Sequence, residues 1–171
     1  MSDREVRIFE YFLPPGHIYL PREPALISTV LGSSVAVSVW DSRTEYGAMA
    51  HFLYPYTDRR EEARATYGNV AVRYLIRQFF ENGARKEELK AQILGGATND
   101  AAECAETARE NVLIARSILH RFGVEILSDD VGGTMGRKVV YNTLLNETVV
   151  YKVQRLRRGD WYPYLKEDGR A

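Results

Sequence analysis

Val35, Val37 and Val39 alternate with Ala36, Ser38 and Trp40, and this two-residue period constrains the fold of the chain more than any other feature. The tract follows a glycine turn at Gly32 and runs into the turn residues Asp41-Ser42-Arg43-Thr44. Gly47 to Tyr54 then returns as a second apolar strand closed by Pro55. Together they predict an antiparallel hairpin. Upstream, Val6 to Leu13 is rich in aromatic and β-branched residues and stops at Pro14-Pro15-Gly16. A loop punctuated by Pro21 and Pro24 leads to a further strand, Leu26 to Leu31.

The pattern changes after Arg59. Val70, Ala71, Tyr74, Leu75, Gln78 and Phe79 fall at helical spacing, with Asn82-Gly83 as the stop. Leu89 to Leu94 reads as a buried strand ending at Gly95-Gly96. A second helix places Cys104, Ala108, Val112, Ala115, Leu119 and Phe122 on one face and ends at Gly123. Val124 to Leu127 is a short strand, and Lys138 to Asn142 with Thr148 to Leu156 forms a closing pair. This order predicts an α/β fold, a layered sandwich of mixed β-sheets with two main flanking helices. Hairpins at both ends exclude a doubly wound parallel sheet. At 171 residues the expectation is one domain over residues 1–156, followed by a polar, aromatic tail over 157–171.

Charge removes several function classes. Lys plus Arg equals Asp plus Glu, 23 against 23, so no global field draws the chain to nucleic acid or a membrane surface. The charged N-terminus lacks the apolar centre of a signal peptide, and no apolar run nears the roughly 20 residues that span a bilayer. A cytoplasmic protein without membrane insertion is expected. With Cys104 alone, no intrachain disulfide or cysteine-based metal site can form. His17, His51 and His120 lie at no helical ligand spacing, and Asp129 and Asp130, adjacent on a strand, point to opposite faces. No metal and no cofactor are expected. Gly95-Gly96 lacks the Lys-Ser/Thr of a phosphate loop, and Gly132-Gly133 marks a turn; both pairs read as structural, as does Gly32.

One pair carries chemistry. His51 interrupts the small and apolar strand Gly47 to Leu53, and composition alone leaves a structural and a catalytic histidine equally open. The neighbouring turn Leu31-Gly32-Ser33-Ser34-Val35 fixes Ser34 where backbone N–H groups lie close, as an oxyanion hole requires. A hairpin that folds back 17 residues later brings His51 toward Ser34. Nucleophile, base and N–H donors are the minimum for acyl transfer.

The tracts Thr29-Val30-Leu31-Gly32-Ser33-Ser34-Val35-Ala36-Val37 and Gly47-Ala48-Met49-Ala50-His51-Phe52-Leu53-Tyr54-Pro55 resemble the CheD chemoreceptor glutamine deamidases, whose pattern is close to Leu-Gly-Ser-Cys-Val-Ala-Val and Gly-x-Met-x-His-x-x-x-Pro. The likeness continues through Ile93 to Ala97, Asn111-Val112, and Asp130 to Asn142 with Arg137, Val139 and Tyr141. It implies a deamidase fold shared with toxins of the cytotoxic necrotizing factor type. It also implies hydrolysis of selected glutamine side chains on methyl-accepting chemoreceptors, and for some members binding of a CheC-type phosphatase. The nucleophile position of the family falls on Ser34 and its histidine base on His51. The hydroxyl that orients the imidazole falls on Ser28, with Thr29 adjacent as a substitute.

Ser34 is the departure that matters, because the family has cysteine there. A thiol reaches the thiolate beside a histidine, whereas a hydroxyl must lose its proton during attack to a well-aligned base. Slowed or absent amide hydrolysis is expected. Ala108 and Glu110 also stand where the family has Gly and Arg, which bears on partner contacts. The sequence is compatible with a native serine and with a replaced cysteine. It also fits both an impaired deamidase and a non-catalytic chemotaxis adaptor that binds receptors or a phosphatase.

Overall fold

A computed structural model describes residues 8–98, 102–161 and 163. The predicted hairpin is present: β4 (Val35–Asp41) pairs antiparallel with β5 (Tyr46–Phe52), setting Ala36 opposite His51. They lie at the centre of a five-stranded sheet, flanked by β2 (His17–Tyr19) beyond β5 and by β6 (Leu89–Gly95) and β7 (Glu125–Val131) beyond β4. A second sheet runs β1 (Phe9–Phe12), β3 (Ala25–Leu31), β8 (Gly136–Asn142), β9 (Glu147–Val153). Both sheets are mixed, since β1 with β3 and β6 with β7 are parallel and the other pairs antiparallel.

Strand alternation sorts the core into two slabs. Val35, Val37, Val39, Ala48, Ala50 and Phe52 face the helices α1 (Gly68–Glu81) and α2 (Ala102–Arg121), whose Leu75, Ile76, Ala115 and Leu119 meet them. The opposite faces, with Ala36 and Met49, meet Ile27, Leu31, Val139 and Tyr141 of the other sheet. The layers are therefore sheet, sheet, helices, which is the mixed-sheet sandwich with two flanking helices expected from the sequence. Because β4 is covered on both sides, it carries apolar or small residues at nearly every position.

Several elements differ from expectation, and the last strand, expected through Leu156, ends at Val153. The Pro-punctuated segment contains β2, three residues long, whose exposed His17 pairs with His51 along the backbone. The strand expected to end at Leu127 continues through Asp129 and Asp130 to Val131, because parallel pairing with β6 extends that far. The first strand is described only from Phe9, and expectations for residues 1–7 lie outside the described residues. Beyond β9, Arg158–Trp161 forms a short helix, α3, within the segment expected as a tail.

Candidate functional site

β3 belongs to one sheet and β4 to the other, so Gly32-Ser33-Ser34 is the point where the chain crosses between them. Thr29 faces into the inter-sheet slab from β3, and His51 faces it from β5. The three meet at the crossing. The Thr29 hydroxyl donates to the Leu13 carbonyl at 2.9 Å and lies 2.8 Å from His51 Nδ1. Its one proton being committed to Leu13, the hydroxyl must accept from Nδ1–H. That fixes the tautomer and leaves the lone pair of Nε2 facing Ser34 Oγ, which donates to it at 2.8 Å. Thr29 and Ser34 are almost wholly buried, and His51 is 0% exposed.

Burial pushes the His51 imidazole down to about 4, against a smaller upward pull from the Leu13 carbonyl, and His17 lowers it further. The imidazole is therefore a neutral base at pH 7. The unfolded chain, with its histidine near 6.5, binds a proton that the folded chain refuses between about 6.5 and 4. The stability tied to His51 is intact above about 6.5 and lost as pH falls through about 4, an effect of about 3 kcal/mol. Urea unfolding measured from pH 7 to 4 should show this loss, with a shallower fall in His51→Gln.

The turn that carries Ser34 is clamped from one side. Gly96 N–H donates to the Ser34 carbonyl at 2.9 Å, and Ala97 N–H to the Gly32 carbonyl at 2.9 Å. Asn111 Nδ2, reaching from α2, donates to the Ser33 carbonyl at 3.0 Å and to the Leu53 carbonyl at 2.9 Å. Close approach requires glycine here: Gly95 has φ +105°, and a Cβ on it would overlap the Ser34 carbonyl oxygen. A Cβ on Gly96 would come 2.6 Å from Val112 Cγ2. Gly132 and Gly133 (φ +78° and +68°) have open space and tie their loop to β6 through Gly132 N–H to the Gly95 carbonyl. Arg137, 2% exposed, braces that loop by donating to Asp130 Oδ1 at 3.0 Å and to the Gly132 carbonyl at 2.9 Å.

Ser28 is not the group beside the imidazole. One residue before Thr29, it lies on the opposite face of β3 and lines a cavity against β1, β8 and α3, so the hydroxyl beside His51 Nδ1 is that of Thr29, the expected substitute. Gly32 has no left-handed backbone, and a Cβ there would rest in ordinary contact with the Trp161 indole, 3.7 Å from Cζ2. Asp129 and Asp130 diverge, the first to Arg116 at 2.6 Å and the second to Arg137. Cys104 is a partly buried free thiol on α2, and His120 is exposed. Ser34 opens onto a cavity of about 240 Å³ lined by Pro15, Gly32, Ser33, Leu53 and Trp161. Neither Asn111 nor Trp161 was among the expected site residues: the Asn111-Val112 dipeptide marked the first only within the resemblance, and Trp161 stood out only in Arg155 to Tyr164, open between a docking surface and a tail packed back on the domain.

Residues 54–152 match the family described as CheD chemotactic sensory transduction. The chain belongs to the CheD family. This CheD-family chain is 39% identical over 140 residues to a probable chemoreceptor glutamine deamidase CheD of Trichlorobacter lovleyi, covering 80% of this chain and 86% of that one. It is 33% identical over 139 residues to the chemoreceptor glutamine deamidase CheD of Thermotoga maritima, covering 81% and 88%. A probable chemoreceptor glutamine deamidase CheD 1 of Anaeromyxobacter dehalogenans is 38% identical over 135 residues, 78% of each chain. Among the described residues, no helix is long and apolar enough to cross a membrane.

Proposed function

We propose that this chain is a CheD-type protein-glutamine deamidase acting on methyl-accepting chemoreceptors in the cytoplasm, with turnover impaired by serine at position 34. The observation that carries the reading is the Thr29–His51–Ser34 relay at the mouth of a cavity, in a chain whose relatives bear the name of chemoreceptor deamidases. Ser34 Oγ attacks the side-chain amide carbon while His51 Nε2 takes its proton. His51 returns that proton to the departing nitrogen, and ammonia leaves an ester on Ser34. Water, deprotonated by the same imidazole, then releases glutamate and restores the hydroxyl.

The clamped turn supports an oxyanion site. A trans peptide sets N–H opposite C=O, and the Gly32 and Ser33 carbonyls are held by Ala97 and Asn111. The N–H groups of Ser33 and Ser34 are thereby turned away from that side, and both residues line the cavity.

The decisive experiment incubates the chain and its Ser34→Cys form with receptor cytoplasmic fragments and reads Gln-to-Glu conversion by mass spectrometry. Conversion by the Ser34→Cys form supports the deamidase reading. No conversion by either form, with fragment binding retained, favours a second reading that the Ser34 hydroxyl itself motivates: a non-catalytic adaptor for receptors or a CheC-type phosphatase.

Thr29→Val removes the acceptor of Nδ1–H. Loss of an anionic orienting group costs serine proteases about 10⁴-fold; for a neutral hydroxyl a fall of roughly 10- to 100-fold in conversion by the Ser34→Cys form is expected. Thr29→Ser should restore most of it.

A further inference from the structure

The cavity above Ser34 has a floor of backbone and three apolar walls, Pro15, Leu53 and Trp161. Trp161 comes from the far end of the chain, and the segment bearing it is docked at successive points. Leu156 fills the space left by Gly136, where a Cβ would collide with its side chain. Asp160 accepts from Lys138 Nζ at 2.9 Å and caps the start of α3 by accepting from Arg157 N–H at 2.7 Å. The indole then lies over Gly32, two residues before Ser34.

We propose that Trp161 is a specificity-determining wall of the substrate cavity, gripping the aliphatic stem of a glutamine side chain so that its amide reaches Ser34. The inference rests on the deamidase reading above. Ser34 is 4% exposed, so an amide gets to its hydroxyl only by passing between the apolar walls. Glutamine presents two methylene groups to that passage. Asparagine presents one, leaving its amide short of the floor and the indole face half used. The wall thus favours the longer amide through reach and through apolar contact.

The test uses the full chain carrying Ser34→Cys, with receptor cytoplasmic fragments holding glutamine or asparagine at the modified position. Adding Trp161→Ala should raise KM for the glutamine fragment about tenfold, the worth of two methylene contacts, with a smaller change in kcat. It should also reduce the preference for glutamine over asparagine. Trp161→Phe should recover most of the loss, and thermal melts confirm that each variant is folded. A second readout uses the chain with Ser34 in place, whose two tryptophans are Trp40 and Trp161. Trp40 lies six residues along β4 from Ser34, about 20 Å away at strand rise, so a change in emission on adding the glutamine fragment should vanish in Trp161→Phe. Unchanged KM and selectivity in Trp161→Ala, alongside normal conversion, would overturn the inference and leave the deamidase standing. No conversion by the Ser34→Cys form on any fragment would overturn the deamidase reading, and the inference with it.

Discussion

Ser34→Cys is expected to increase Gln-to-Glu conversion on receptor fragments by roughly 10²-fold or more over the chain with serine. Under the proposed mechanism the base is already placed: His51 Nε2 lies 2.8 Å from Ser34 Oγ, in the tautomer that accepts a proton. What serine lacks is ionisation. Its hydroxyl must give up a proton during attack, and His51, pushed by burial to about 4, is a weak base for that purpose. A thiol ionises far more readily, and the thiolate–imidazolium pair repays part of the cost of charging a buried imidazole. The pH profiles should therefore differ. With serine, conversion needs only neutral imidazole and declines at low pH, as His51 protonates near 4. With Ser34→Cys, conversion should be bell-shaped and peak where the pair is charged. A Ser34→Cys form no faster than the parent on every fragment tested would remove the mechanism argued here.

Gly95→Ala is expected to destabilise the fold by about 3–5 kcal/mol, combining a left-handed backbone with overlap against main chain. At φ +105° an L-residue is strained, and the added methyl meets the Ser34 carbonyl oxygen, which has no flexible end to move. Either β6 or the Ser34 turn must shift. The Gly96 N–H bond to the Ser34 carbonyl is then lost, and Ser34 Oγ moves out of line with Nε2. Gly132→Ala separates the two causes: its φ of +78° is similarly left-handed, but nothing lies near its Cβ. It should cost only about 1–2 kcal/mol. Thermal unfolding of the two variants side by side measures the difference, which for a chain of this size is roughly 5–10 °C in Tm. Equal melting temperatures would show that β6 does not approach the Ser34 turn closely enough to exclude a Cβ at Gly95.

Much of this was legible in the chain. The period-2 tract from Val35 and its partner from Gly47 specify a hairpin, and a hairpin of that length returns His51 beside the start of β4, within reach of Ser34. The apolar faces of α1 and α2 follow from 3.6-residue spacing and are the faces that cover the five-stranded sheet. Which hydroxyl meets His51 Nδ1 was not legible. β3 carries Ala25, Ile27 and Leu31 on one face and Leu26 and Val30 on the other, so alternation alone gives no reason to turn Thr29 inward rather than Ser28. β2 has no sequence signature, because three residues between prolines present no pattern and its pairing is supplied by β5.

Ser34 and His51 thus follow from local rules: turn chemistry, strand period and the length of one hairpin. Their surroundings come from residues distant in the chain. Asn111 on α2 holds the turn's carbonyl, Gly95 and Gly96 admit the backbone approach, and Trp161 walls the cavity from the far end of the chain. Sequence periodicity reports which face of an element is apolar, and it fixes neighbours only along that element. Which faces meet across layers is decided by packing two sheets and two helices together at once. That packing turned Thr29 toward the imidazole, kept the histidine neutral at pH 7 and set an indole in the wall of the cavity onto which Ser34 opens.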